Sequence, residues 1–118
     1  MSPFFVVRDL PKALEFYRDA LGFEVTFTGD GDFFAIVRRD GVQFLLKSVG
    51  VEAVPNRKLH ADARWDAFVH VSDPDGLAAE LSTRSVPFEA PLADTDDGLR
   101  GFEVADRDGY VLFFGRPR

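Results

Sequence analysis

The sequence predicts an α+β fold in which two β-α-β-β-β modules follow one another along a chain of 118 residues. Strand-like apolar runs alternate with two amphipathic helical stretches, and the same order of elements occurs in both halves. Each half also closes with a hairpin whose turn contains Arg-Asp-Gly. A chain of this length forms one core of useful size, so we expect residues 1–118 to be a single domain.

The first module spans about residues 1–48 and is defined by its capping and turn residues. A strand at 3–8 leads to Asp9, which is a suitable N-cap. Pro11 fits the first turn of the following helix, and Gly22 suits its end. Three more strands are predicted at 23–28, 33–38 and 42–48. The Asp-Gly dipeptide between the last two is a strong hairpin signal.

The second module spans about residues 66–118 and follows a linker at 49–65 that shows little periodicity. Asp73 and Pro74 repeat the N-cap and first-turn roles ahead of a second helix. Four strands are predicted at 66–71, 87–90, 99–105 and 110–115. The acidic segment at 91–97 is expected to be a solvated loop.

The two halves correspond in sequence as well as in the order of their elements. Val-Val-Arg-Asp at 6–9 matches His-Val-Ser-Asp at 70–73, an offset of 64 residues. The Arg-Asp-Gly turns at 39–41 and 107–109 match at an offset of 68 residues. Identity between the halves is low, but their capping and turn chemistry agree. We infer that the chain contains a duplicated module.

Composition excludes several classes of function. The absence of cysteine excludes disulfides, zinc–cysteine sites and thiol nucleophiles. A net charge of −6 disfavours nucleic-acid binding and favours cationic ligands. No apolar run reaches the roughly 18 residues that a membrane span needs. The N-terminal run Met-Ser-Pro-Phe-Phe has neither a basic segment nor a cleavage signal, so we expect a cytoplasmic protein.

Phenylalanine is abundant in this chain, with 13 residues against one tryptophan. Several phenylalanines lie in runs with apolar neighbours on both sides, which is typical of a sheet buried on both faces. One face of the sheet would carry the helices. The other face needs a small-molecule ligand, a second sheet or a partner chain.

Two segments carry a family resemblance. Residues 4–25 read FFVVRDLPKALEFYRDALGFEV, and residues 98–117 read GLRGFEVADRDGYVLFFGRP. Both resemble signatures of the vicinal oxygen chelate superfamily, which includes glyoxalases, extradiol dioxygenases and bleomycin-resistance proteins, although Arg107 replaces the usual proline. The resemblance covers nearly the whole chain and is specific for fold rather than reaction. It implies that the two modules form a concave mixed sheet with helices on the outer face, and that the protein is a homodimer.

The resemblance also implies where a metal would bind. Metal-dependent members place one ligand seven residues before the aspartate that follows the first strand of each module, and another five residues after the aspartate of the hairpin turn. In this chain those positions hold Ser2, Leu45, Asp66 and Phe113. Leu45 and Phe113 offer no donor atom, whereas a stable catalytic metal needs about three strong protein donors. We therefore expect no metal and no other cofactor, and we favour a protein that is not an enzyme.

Strand alternation assigns the side chains to two faces of the sheet. Counting from those four positions, the concave face holds Ser2, Phe4, Val6, Gln43, Leu45, Lys47, Asp66, Phe68, His70, Glu103, Val111 and Phe113. The opposite face holds Phe5, Val7, Phe44, Leu46, Val69, Val71, Phe102, Val104, Leu112 and Phe114. The second set is wholly apolar and suits packing against the helices, which supports this register.

A groove that mixes aromatic and acidic side chains is the expected ligand site. Its predicted ligand-binding residues are Phe4, Trp65, Asp66, Phe68, His70, Glu103 and Phe113, with Trp65 at the rim. Aromatic faces attract cations and carboxylates add complementary charge, so the groove suits a flat or cationic small molecule. The bleomycin-resistance branch implies a metal-free dimer that sequesters a basic, partly planar drug. The alternative is that these rings only pack the core of a dimer.

Two polar residues of this groove each allow more than one interpretation. Glu103 interrupts an apolar strand and needs a partner, either a ligand or a cationic side chain. The candidate cations are Arg38, Lys47 and Arg100. His70 shares a strand face with Asp66, so these two residues and Glu103 could form a displaced metal site. That site would predict a metal-dependent lyase, isomerase or dioxygenase, whereas the simpler alternative is a histidine hydrogen-bonded locally on its strand.

Overall fold

A computed structural model describes residues 2–29, 31, 33–60, 63 and 65–118. The chain divides into two compact units: residues 1–54 with 106–109 form unit 1, and residues 55–105 with 110–118 form unit 2. Each unit contains one four-stranded mixed sheet together with helices. The chain therefore has the α+β fold that the sequence predicts.

Unit 1 follows the order strand, helix and three strands. Its elements are β1 (Phe4–Val6), α1 (Leu10–Glu15), a π-helical segment (Phe16–Ala20), β2 (Glu24–Thr28), β3 (Phe34–Arg39) and β4 (Val42–Lys47). The sheet order is β1-β4-β3-β2, in which β1 is parallel to β4 and the other neighbours are antiparallel. This is the predicted β-α-β-β-β module.

Unit 2 repeats the same order after a short helix. Its elements are α2 (Asn56–Leu59), β5 (Ala67–His70), α3 (Pro74–Thr83), β6 (Ala90–Asp94), β7 (Leu99–Ala105) and β8 (Val111–Pro117). The sheet order β5-β8-β7-β6 is equivalent to that of unit 1, again with the first strand parallel to the last. Helix α2 lies in the segment that the sequence predicts to be an irregular linker.

Strand β6 lies at Ala90–Asp94 rather than at the predicted 87–90, inside the segment expected to be a loop. Its partners on β7 explain the difference, because Ala90 pairs with Glu103 and Asp94 pairs with Arg100, with a bulge between them. The Asp94 carboxylate also accepts a hydrogen bond from Arg100 Nη1 at 3.1 Å. The acidic composition of this segment is typical of a loop, but Arg100 on the neighbouring strand neutralises Asp94 and allows the segment to pair as a strand.

The two longer helices begin where the sequence predicts. The carboxylate of Asp9 accepts a hydrogen bond from the backbone N–H of Lys12 at 3.1 Å, and that of Asp73 accepts one from Gly76 at 3.1 Å. A proline follows each cap in the first turn. The caps satisfy backbone donors that would otherwise have no partner within the helix.

Within the described part of the chain, no helix combines the length and apolar character that crossing a membrane requires.

Burial confirms the predicted register of the strands. The helix-facing set predicted from the sequence is buried throughout, apart from the half-buried Val71. On the other face most members are exposed or half-buried, whereas Val111 and Phe113 are buried. Each sheet therefore has one face in a core and a second face that contains the candidate site residues.

The two Arg-Asp-Gly turns differ in structure. Asp40 and Gly41 have φ angles of 50° and 84° and join β3 directly to β4, as a type I′ hairpin loop requires. The turn at 106–109 is instead anchored by two buried carboxylates. Asp106 accepts a hydrogen bond from the Tyr17 hydroxyl at 2.8 Å, and Asp108 accepts one from the Arg8 backbone at 2.9 Å. The repeated Arg-Asp-Gly sequence thus forms two different local structures.

Candidate functional site

Strand register alone brings three of the predicted site residues side by side in unit 2. Phe113 on β8 is paired with Phe68 on β5 and with Glu103 on β7. Directly opposed residues in a sheet project from the same face and their side chains are in contact range. The site therefore has its centre on β8, flanked by one aromatic and one acidic side chain.

Trp65, just before β5, completes an aromatic cluster over this centre. Its ring stacks on Phe113 with centroids 4.5 Å apart and an interplanar angle of 26°. Phe68 packs against both, with its centroid 5.6 Å from Trp65 and 5.3 Å from Phe113. We call Trp65, Phe68 and Phe113 the aromatic platform. Ring pairs at these separations contribute about 0.5–1.5 kcal/mol beyond their buried area.

Glu103 has an indole as its hydrogen-bond partner. Its Oε2 accepts a hydrogen bond from Trp65 Nε1 at 3.1 Å. Arg100, one of the three cations considered as partners from the sequence, is engaged elsewhere: it makes hydrogen bonds to Asp75 at 2.8 Å and to Asp94 at 3.1 Å. By accepting this hydrogen bond, the Glu103 carboxylate holds the indole ring of Trp65 in one orientation.

Phe113 occupies a slot made by two glycines that the sequence analysis did not single out. Gly101 and Gly115 are paired across β7 and β8. A Cβ atom on Gly101 would lie 2.7 Å from Phe113 Cζ, and one on Gly115 would lie 2.5 Å from Phe113 Cε1. The two glycines therefore make room for the Cε1–Cζ edge of the ring while Trp65 stacks on it, and only 2% of Phe113 is exposed. The signal for this slot is two glycines facing each other in a hairpin of otherwise bulky residues.

Asp66 is bound to the backbone through both carboxylate oxygens. Oδ1 accepts a hydrogen bond from the N–H of Asn56 at 2.7 Å, and Oδ2 accepts one from Val111 at 2.8 Å. The Asn56 side chain also donates to the carbonyl oxygen of Trp65 at 2.8 Å. Asp66 thus ties the start of α2 to the start of β8, and Asn56 fixes the backbone that carries Trp65. The role of Asn56 depends on a contact that its own sequence neighbourhood does not indicate.

The donor set does not suit a metal at the positions that the family implies. Phe113 is a buried ring and Leu45 is aliphatic. Both oxygens of Asp66 are engaged, and Ser2 accepts a hydrogen bond from Gln43 at 3.0 Å. His70 is exposed on β5, opposite Gly115. Among the described residues, no three His, Cys, Asp or Glu side chains are grouped to hold a metal ion, so the displaced site considered above is not formed there.

Phe4 is the one predicted site residue that belongs to unit 1. It lies on β1 and is 51% exposed. Strand pairing places it on the same sheet face as Leu45, Ile36 and Phe27, of which Phe27 is also 51% exposed. We call these four residues the open apolar face of unit 1. The other six predicted residues all lie in unit 2.

Comparison with known proteins agrees with the fold. The family model described as Glyoxalase/Bleomycin resistance protein/Dioxygenase superfamily matches residues 3–114. No curated protein matches the chain.

Three solved structures are similar over nearly the whole chain. The bleomycin-binding protein from bleomycin-producing Streptomyces verticillus, complexed with copper(II)-bleomycin, has 26% identity and a TM-score of 0.74, and the match covers 100% of this chain and 95% of that one. A bleomycin-binding protein complexed with bleomycin has 15% identity and a TM-score of 0.79, with 100% and 98% covered. A superfamily member from Sphaerobacter thermophilus has 26% identity and a TM-score of 0.69, with 98% and 94% covered.

Proposed function

The chain belongs to the Glyoxalase/Bleomycin resistance protein/Dioxygenase superfamily, and we propose that it binds a planar, cationic small molecule and sequesters it without chemical turnover. Binding would take place without a resident metal or other cofactor. Sequestration of a toxic compound within the cell protects the cell's own targets. A role in drug resistance and a cytoplasmic location are therefore parts of the same proposal.

The observation that supports this proposal most strongly is the aromatic platform beside Glu103. At the position where a metal ligand is implied, Phe113 supports the stacked ring of Trp65. The carboxylate of Glu103 lies at the edge of that ring, 3.1 Å from its Nε1. Flat π-surfaces bind other flat rings, and their faces attract cations. Among the described residues of unit 2, no three His, Cys, Asp or Glu side chains are grouped to hold the metal that a metal-dependent reaction needs.

Charge and relatives support the same ligand class. The net charge of −6 favours the approach of cations over anions. Two structurally similar proteins bind bleomycin, and one of them is 26% identical to this chain. We therefore propose bleomycin-like compounds, which combine basic and planar groups, as the first ligands to test.

We also propose that the protein is a homodimer. The open apolar face of unit 1 supports this, because Phe4 and Phe27 are each 51% exposed on a sheet face that also carries Ile36 and Leu45. Contiguous exposed apolar patches of this kind are typical of interfaces. Sedimentation equilibrium should give twice the chain mass, and a monomer at all concentrations would contradict this part of the proposal.

Thermal stabilisation by candidate ligands tests the proposed function. Metal-free bleomycin and ethidium serve as cationic planar probes, and fluorescein serves as a planar anionic control. A ligand at about 100 times its Kd stabilises the folded protein by about 2.7 kcal/mol, which raises the melting temperature by several degrees. We expect a concentration-dependent rise with at least one cationic probe and none with fluorescein. Equal shifts with all three probes, or none with any, would contradict the proposal.

A further inference from the structure

The Trp65 side chain is held on three sides. Its indole N–H donates to Glu103 at 3.1 Å, one ring face lies on Phe113 at a centroid distance of 4.5 Å, and Phe68 packs beside it at 5.6 Å. The backbone below is also fixed, because Asn56 donates to the Trp65 carbonyl and Asp66 is bound by two backbone N–H groups. A ring held in this way is oriented before any ligand arrives.

The three rings of the platform differ in accessibility. Phe113 is 2% exposed, enclosed by Trp65 and the glycine slot, so a ligand that leaves Trp65 in place has almost no access to it. Phe68 is 41% exposed, and Trp65 is half-buried with its second face turned away from Phe113. The accessible part of the platform therefore consists of Trp65 and Phe68.

We propose that Glu103 and Phe113 are positioning residues for Trp65, and that Trp65 and Phe68 form the surface that contacts the ligand. The part of this inference that concerns ligand contact rests on the proposed function, whereas the positioning of Trp65 does not. Glu103 acts by accepting the indole N–H, and Phe113 acts by supporting the ring from below. Both were expected from the sequence to contact the ligand directly, and the structure assigns them this indirect role.

The matched pair Glu103→Gln and Glu103→Leu separates the two roles of Glu103. Glutamine keeps an oxygen that can accept the indole N–H but removes the charge, whereas leucine removes both. If Glu103 acts through Trp65, metal-free bleomycin should bind the glutamine variant within about threefold of the original affinity and the leucine variant at least about tenfold more weakly. An equal loss in both variants would show that the ligand contacts the carboxylate charge, and would overturn the inference.

Trp65 fluorescence provides a readout that needs no ligand. Trp65 is the only tryptophan in the sequence, so the emission reports on this ring alone. We expect acrylamide quenching and anisotropy of the glutamine variant to match those of the original protein. The leucine variant should be quenched more strongly and have lower anisotropy, because the ring has lost its hydrogen bond. Unchanged fluorescence in the leucine variant would overturn the positioning role even if no tested compound binds.

A double-mutant cycle, made with variants whose far-ultraviolet circular dichroism matches that of the original protein, tests whether Glu103 acts through the indole N–H. Trp65→Phe keeps an aromatic ring but removes the N–H group. If Glu103 acts only through the indole, adding Glu103→Leu to Trp65→Phe should cause no further loss of affinity for metal-free bleomycin. A further loss of about tenfold in the double variant would show a separate role for Glu103. Failure of the original protein to bind bleomycin or ethidium would count against the proposed function, while the fluorescence result would still decide the positioning role.

Discussion

At the scale of single residues, the Phe113 ring fits the space that its neighbours in the sheet leave for it. The sequence predicts that this position offers no metal donor, because a ring stands where the family implies a ligand. The sequence does not predict the slot that receives the ring, since Gly101 and Gly115 meet only through the register of β7 and β8. The same applies to the bond between Trp65 and Glu103, which are 38 residues apart. The sequence thus identifies candidate residues for the site, whereas the pairings between their side chains follow only from the structure.

Replacement of Gly115 by alanine tests the slot. The new Cβ would lie 2.5 Å from both the Phe113 ring and the Arg100 carbonyl oxygen, so the ring or the strand must move. We expect the free energy of unfolding, measured by urea denaturation, to fall by about 1–3 kcal/mol. Gly29→Ala is the matched control, because its Cβ would meet Phe34 at an ordinary 3.4 Å. Equal stability of the two variants would contradict the existence of a tight slot.

Asp66 is a second residue whose role became clear only from its contacts. The sequence marks it as the one good ligand among the four implied metal positions, but its oxygens bind the N–H groups of Asn56 and Val111. Replacement by asparagine leaves one acceptor oxygen for two donors. We expect Asp66→Asn to lower the free energy of unfolding by about 1–3 kcal/mol, with no dependence on divalent metal or chelator.

The control for this variant is Asp40→Asn. Asp40 is 88% exposed and has a φ of 50°, which asparagine tolerates well. This substitution should leave the urea midpoint nearly unchanged. A destabilisation of Asp66→Asn that appears only when metal is present would indicate that Asp66 is a metal ligand instead of a structural clamp.

At the scale of secondary-structure elements, capping and hairpin signals predict most of the helices and strands correctly. The caps at Asp9 and Asp73 are local, since each is made by hydrogen bonds to residues three positions away. Strand β6 was misplaced because its stability depends on pairing with β7 rather than on its own composition. Helix α2, with four residues, is too short to show periodicity. Elements specified by local chemistry are therefore predictable, and those specified by a neighbour are not.

An ion-pair network connects α3 with the strands of unit 2. Arg100 on β7 binds the carboxylate of Asp75, in the first turn of α3, through two hydrogen bonds of 2.8 Å, and it also pairs with Asp94 on β6 at 3.1 Å. The hydrogen bonds from Arg100 lower the pKa of Asp75 below its usual value. A lowered pKa in the folded state means that the pair stabilises the fold when Asp75 is ionised.

The pH dependence of this network follows from the direction in which the pKa of Asp75 is shifted. The stabilisation is present above the unfolded-state pKa of about 3.9 and is lost as the pH falls through the lower, folded-state pKa. We expect Asp75→Asn to lower the urea midpoint at neutral pH, and the difference from the original protein to shrink on acidification and at high salt. Asp19→Asn, which breaks an exposed pair between adjacent residues, should show a smaller effect at neutral pH. A difference that grows on acidification would contradict the assignment.

The duplicated β-α-β-β-β module is the feature that best links sequence and structure at the scale of the whole molecule. Both sheets have the predicted order of elements, and both have one apolar face in a core. The duplication does not extend to the turns, because Asp40-Gly41 is a short hairpin loop whereas Asp106 and Asp108 are buried anchors. Fold class and family could thus be predicted from repeated patterns, while the detailed roles of the repeated residues diverged.

Calorimetric titration of metal-free bleomycin into chelator-treated protein tests the central claim most directly. The account predicts saturable binding to the chelator-treated protein, and loss of at least about tenfold in affinity in a Trp65→Ala, Phe68→Ala double variant. Correct folding of that variant would be checked by its far-ultraviolet circular dichroism. Absence of binding to the chelator-treated protein, or an affinity that the double variant retains in full, would contradict metal-independent binding on the aromatic platform.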